Sequence, residues 1–129
     1  MTGRRRAALA AVLLATPACR SVTAPAPAAV DLASVLPAGP AYITGTVVAR
    51  DGRFTGARSA RLATDPRNLE AGRSADVMLG DSTTVVHRDG RRAAVGDLRV
   101  GRVVTAWVGP TELRSLPPVV SGRVLVIEP

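Results

Sequence analysis

A chain of 129 residues, with 17 basic side chains against 10 acidic ones and only three aromatics, has room for one small domain with an aliphatic core. Its single cysteine excludes an internal disulfide, and its single histidine leaves no multi-ligand zinc site. Every basic residue is arginine, and arginines and acids alternate along the chain, so the formal charge of +7 reads as a solvated surface.

Residues 1–18 read as an export signal. Arg4, Arg5 and Arg6 form a basic start, and Ala7 to Ala15 form an apolar run. Nine residues are too few to cross a bilayer, which takes about twenty. The residues after the arginines, Ala7 and Ala8, do not fit a twin-arginine signal, so the triplet is a generic n-region. Without that segment, 14 arginines face 10 acids and the charge falls to +4. Thr16, Pro17 and Ala18 precede Cys19. A lone cysteine just past an apolar run resembles the lipobox of bacterial lipoproteins, in which that cysteine is lipidated. Ala18 and Cys19 fit the motif; Thr16 and Pro17 depart from it. Ordinary cleavage after Ala18, giving a secreted protein, is the second reading. Arg20 after the cysteine lacks the Asp that marks inner-membrane retention in some bacteria, which leans toward the outer side.

Residues 19–40 form the attachment cysteine and an Ala/Pro-rich linker, expected to be extended and disordered. Its AAVDLASVL run is long enough for a helical turn, which Pro37 ends.

Residues 41–129 carry the domain. Tyr42 to Arg50 alternates as a strand, with Ile43, Val47 and Ala49 on one face. Asp51-Gly52 predicts a type I′ hairpin, with Arg58 to Thr64 as a weaker return strand. Asp65 to Gly72 reads as one short helix: Asp65 caps, Pro66 suits the first position and Gly72 terminates. Asp76 to Leu79 and Thr83 to His87 form a third strand region, broken at Gly80-Asp81. Asp89-Gly90 is a second hairpin signal. After a polar turn at Leu98 to Gly101, Arg102 to Val108 is a long strand that Gly109-Pro110 stops. Thr111 to Val119 is a loop or edge segment, and Val120 to Glu128 closes the domain. Short strands, two Asp-Gly turns and one small helix predict an all-β, five- to six-stranded antiparallel OB-like barrel. A small β-sandwich is the alternative.

The order of an ITGTV strand, a Thr84-Val85-Val86 strand, the DLRVGRVVTAWV element, RSLPP and a terminal VLVIE strand resembles the YobA-like group. These are small bacterial exported and lipoprotein domains of unknown function. The matching residues are Leu98, Gly101, Val103, Trp107, Ser115, Pro117 and Ile127, and the resemblance covers 41–129. It implies an OB-like barrel and an envelope location, and it carries over no catalytic residue.

Chemistry is marked by absences. Ser82, His87 and Asp89 as a hydrolytic triad would need geometry that one strand and a turn do not supply. Asp76, Asp81 and Asp89 do not follow the calcium-loop pattern. No phosphate-binding or dinucleotide motif occurs. No catalytic, cofactor or metal site is expected, and three aromatics are too few for a nucleic-acid stacking surface. The candidate binding residues are Trp107, Arg114 and Ser115. Trp107 is either a core anchor or an exposed ligand anchor. Arg114 to Pro118 is either a recognition edge or a connection whose prolines protect a sheet edge. The partners expected are the membrane, through lipidated Cys19, and an envelope protein or a glycan. The functional expectation is a non-enzymatic, membrane-tethered envelope lipoprotein acting as an interaction module. The alternative is a secreted barrel that binds a small ligand or glycan.

Overall fold

The computed structural model describes residues 29–51 and 58–129. The export segment, Cys19, the linker as far as residue 28, Gly52 and Phe54 lie outside the described residues. Among the described residues six strands form the fold: β1 (Ile43–Arg50), β2 (Ser59–Ala63), β3 (Ser74–Met78), β4 (Thr84–His87), β5 (Val103–Leu113) and β6 (Val119–Ile127). The neighbour order is β3-β2-β1-β5-β6-β4, and a further pairing of β3 with β6 closes β1, β2, β3, β6 and β5 into a five-stranded barrel. This is the OB-like barrel expected from the sequence.

The strands are not all antiparallel. β6 runs parallel to both β3 and β4. Topology requires one such pair, because an odd number of alternating strands cannot close without two like-directed neighbours. β3 lies beside Val119 to Ser121 and β4 beside Val124 to Ile127, so the two strands lie end to end along one edge of β6. The break falls at Gly80-Asp81, as expected. There Thr83 Oγ1 accepts from Gly80 N and donates to Gly122 O, at 3.0 and 2.7 Å.

Alternation places Val47, Leu62, Val77, Val104, Leu125 and Ile127 inside the barrel, each essentially inaccessible. Ile43 joins them, but a register shift between Val47 and Ala49 interrupts the alternation, and Ala49 is only half-buried. Leu98, fully buried, reaches the same cluster from the turn that follows a 3₁₀ turn at Val95–Asp97. Arg50 fixes that turn from the end of β1, its guanidinium donating to the carbonyls of Val95 and Leu98 at 2.9 and 2.8 Å.

Three local expectations are corrected, and a fourth, the Asp89-Gly90 hairpin, is borne out with its loop length now defined. Asp65 to Gly72 is not a helix but a pair of turns. The Asp65 carboxylate accepts from the backbone N–H of Arg67 and Asn68, and the Asn68 side chain accepts from those of Glu70 and Ala71. Side chains that satisfy the backbone locally compete with helix, and eight residues offer little propagation to offset nucleation. The Asp51-Gly52 signal does not make a two-residue hairpin. Arg50 pairs with Ala60 and β2 begins only at Ser59, although Asp51 does take a positive φ of 51°. The Asp89-Gly90 hairpin forms, but with Gly90 at φ 90° closing a three-residue loop whose ends are joined by His87 N to Arg91 O. Lastly, Gly109-Pro110 does not stop β5. The strand runs on to Leu113, and the register slips between Val108, opposite Gly122, and Glu112, opposite Val120. That bulge absorbs Pro110, which has no N–H to give to a ladder.

The described part of the linker is folded onto the barrel. Helix α1 (Leu32–Val35) is capped by the Asp31 carboxylate, which accepts from Ala33 N. Val30, Leu32, Val35 and Leu36 pack on Val86, Val124 and Val126, the outward residues of β4 and β6. Val30 N donates to Gly90 O at 2.9 Å. Gly90 suits that contact, since a Cβ there would lie 2.5 Å from Val30 O.

Candidate binding groove

Trp107 follows Ala106, which faces the barrel interior, and so faces outward. It is half-buried beneath residues 30–39 and its Nε1 donates to Gly39 O at 3.3 Å. It packs on the outer cluster of Val86, Val124 and Val126 and clasps the chain's own N-terminal strap. Trp107→Ala is expected to loosen that strap more than the barrel. The loss should be about 2 kcal/mol, below the full cost of a buried tryptophan because the ring is half-exposed. Limited proteolysis should then cut first within residues 29–41, a region protected in the parent.

Arg114 and Ser115 lie in the β5–β6 loop. They share a hollow of about 510 Å³ with Glu112, Leu116 and Pro118. The Ser115 hydroxyl donates to Pro117 O at 2.7 Å, so it serves the loop's own geometry, in which the Leu116–Pro117 peptide is cis. Leu116 and Pro118 also border a larger groove of about 770 Å³ between this loop and the β2–β3 turns. Tyr42, Arg61, Leu69, Glu70 and Arg73 also line it. The structure thus brings Arg114 and Ser115 together in the smaller hollow, which shares Leu116 and Pro118 with the groove, and leaves Trp107 outside both.

The groove has an apolar and a polar part. Leu116 is 96% exposed and Leu69 is 47% exposed, and Pro117 and Pro118 stand beside them. The Arg73 guanidinium lies over the Tyr42 ring, 5.4 Å from its centre. Arg61 on β2 donates from Nε and Nη2 to the Asp76 carboxylate on β3, at 2.8 and 3.1 Å. Asp76 is 3% exposed, and its backbone N–H donates to Pro118 O, so this carboxylate sits beneath the loop. The bond to Asp76 raises the Arg61 pKa further above its already high ordinary value, so the groove wall keeps a fixed cation. The surface suits an extended ligand with apolar groups and a stackable face.

Sequence reasoning missed Tyr42, Arg61, Leu69 and Arg73. The available signal was Leu116 between a serine and two prolines, a bulky apolar residue where no strand could bury it.

At the other end of β6 the side chains form a charged cluster. Arg88 donates to the Glu128 carboxylate from Nε and Nη2, and Thr105 Oγ1 donates to Glu128 Oε1 at 2.7 Å. The Arg88 hydrogen bond, assisted by Thr105, holds the Glu128 carboxyl below its ordinary value against the opposing effect of burial. A depressed folded-state pKa gives stability that is full above the unfolded value, near 4.5, and is lost as pH falls through the folded one. Glu128→Gln is therefore expected to flatten the acid limb of a stability–pH curve below about pH 4.5. The change should be at most about 1 kcal/mol, because the partner arginine is well exposed and screened. Urea melts between neutral pH and pH 3 would measure it.

His87 ends β4, and Asp89 is engaged by Arg91, accepting from its backbone N–H at 3.0 Å and its Nε at 2.7 Å. Those bonds, the backbone one foremost, lower the Asp89 pKa. Among the described residues no three His, Cys, Asp or Glu side chains are grouped to hold a metal ion. Nor is any described helix long and apolar enough to cross a membrane.

The architecture is a small OB-type barrel with a groove between its β2–β3 and β5–β6 loops. Comparison of the chain with protein families, with curated proteins and with solved structures gave no match.

Proposed function

We propose that the chain is a non-enzymatic, membrane-tethered module of the bacterial cell envelope that binds a partner through the groove between the β2–β3 and β5–β6 loops. Residues 1–18 direct export and Cys19 carries the lipid. The observation that carries the reading is the groove itself: Leu116 and Leu69 stand exposed beside the Tyr42–Arg73 stack, over a face of the barrel fixed by Arg61 and Asp76. OB barrels commonly bind extended ligands on the face of their second and third strands, which here are β2 and β3. Tyrosine and arginine are among the residues from which protein interfaces draw most of their affinity, and the Tyr42–Arg73 stack supplies both.

Two measurements test it. Cys19→Ala should abolish incorporation of labelled palmitate in growing cells; equal labelling of variant and parent would sink the anchor. A photo-crosslinking residue at position 116 should capture an envelope protein, with yield falling at least about fivefold in a Tyr42→Ala, Leu69→Ala background. Capture of glycan alone would favour the ligand-binding alternative. Yield unaffected by the groove substitutions would remove the groove from the reading.

A further inference from the structure

We infer that the end of the barrel opposite the groove is a docking surface for an anionic bilayer, which turns the groove away from the membrane. The sense of this orientation rests on the membrane tether proposed above; the surface itself is independent of it. Arg102 lines the same depression, about 270 Å³, as Arg88 and Arg91. The acids nearby are already engaged: Glu128 by Arg88, Asp89 by Arg91, and Asp97 by the backbone N–H of Ala94. Arg92, Arg99 and Arg102 are exposed and have no acidic partner among the described residues.

Between Arg99 and Arg102 the chain turns tightly, with Arg102 N donating to Arg99 O at 3.1 Å and Gly101 at φ 96°. The tip of that turn is Val100, 64% exposed. An apolar tip flanked by guanidinium groups suits the lipid interface, where arginine meets phosphate oxygens and the apolar group enters the headgroup boundary.

The strap begins at the arginine-bearing end: Val30 is bonded to Gly90, between Asp89 and Arg91, so the first described residues lie there. Cys19 precedes Val30 by eleven positions, a chain length of at most about 40 Å. Charge then selects the pose, with each arginine near an anionic surface favouring contact roughly fivefold. The groove lies at the far end of β6: Pro118 immediately precedes that strand, whereas Arg88 N bonds to Ile127 O at its other end. The strand between them is about 26 Å long.

The test uses the full chain with Cys19→Ser and one new cysteine, Val100→Cys or Leu116→Cys, carrying a fluorophore. Each chain is reconstituted with phosphatidylcholine vesicles bearing a headgroup quencher lipid, with or without about one-third phosphatidylglycerol. The label at 100 is expected to be quenched at least about threefold more than that at 116 on anionic vesicles, and the difference to vanish in high salt. Arg92→Glu, Arg99→Glu and Arg102→Glu together should erase it. Equal quenching at the two positions, or quenching at 100 that ignores phosphatidylglycerol and salt, overturns the proposal. Cys19 is absent from these chains, so failure here is separate from failure of the lipid anchor or of groove capture.

Discussion

Leu98→Ala is expected to lower the unfolding free energy by about 3 kcal/mol, within the range for buried leucines whose surroundings cannot collapse. Leu98 is fully buried in the barrel cluster although it belongs to a turn. The turn is held on both sides. Asp97 accepts from Ala94 N at 2.8 Å, and Arg50 donates to the Val95 and Leu98 carbonyls while also bonding Ser59 O at 3.0 Å. A turn fixed by its own hydrogen bonds cannot sink into the space left by the lost side chain, so a cavity remains. For a domain of this size the midpoint should fall by about 4–8 °C for each kcal/mol. Thermal and urea melts followed by Trp107 fluorescence would show this. A loss below about 1 kcal/mol would mean that the barrel end closes without Leu98.

Gly45→Ala should cost at least as much, about 3 kcal/mol, through overpacking instead of a cavity. A Cβ on Gly45 would lie 2.8 Å from Ala63 O and 2.9 Å from Ala63 C. Those are backbone atoms of β2, and β1 pairs with β2 one residue further on, Thr46 opposite Ala63. Relief therefore requires moving a strand that is part of the closed barrel. Gly122→Ala is the informative contrast. Two of its three close contacts are the ends of Val77 and Leu125 side chains, at 2.8 and 3.0 Å, and the third is Met78 O at 3.0 Å. Rotamer changes can relieve part of that crowding, so its loss should be the smaller in parallel urea melts. The reverse order would show that the β1–β2 contact yields more readily than its geometry implies.

The strands were legible wherever apolar and polar residues alternate at the period of a pleated sheet. Ile43 to Val47 and Val103 to Val108 reveal their inward faces directly. β6 held a further clue. Val124 to Ile127 are four consecutive buried residues, which alternation cannot explain unless both faces are covered. The inner cover is the barrel and the outer one is the strap of residues 30–36. The run therefore implied a second layer, without saying which segment supplies it. The turns over Asp65 to Gly72 were misread because capping signals are shared: an aspartate that can start a helix can equally close an Asx turn. Pro110 was misread because a bulge excuses a proline from the ladder, and a bulge belongs to a pair of strands rather than to one.

The groove was the least legible part. Tyr42, Arg61, Arg73 and Leu116 come from four separate places in the chain and share no local pattern. Arg114 and Ser115 were singled out because the prolines beside them mark a loop, and they line the neighbouring hollow instead of the groove.

What the sequence determined by itself is local: which segments are extended, which faces of them are apolar, and where glycine and proline interrupt them. Those follow from side-chain periodicity and backbone sterics, which act over a few residues. Only the tertiary structure decided that β6 lies parallel to β3 and β4, that Leu98 fills the end of the barrel, and that Trp107 holds the chain's own strap. These choices depend on closing an odd-stranded barrel and covering apolar faces that lie far apart in the chain. They are settled by which surfaces meet, a property no local stretch of residues carries.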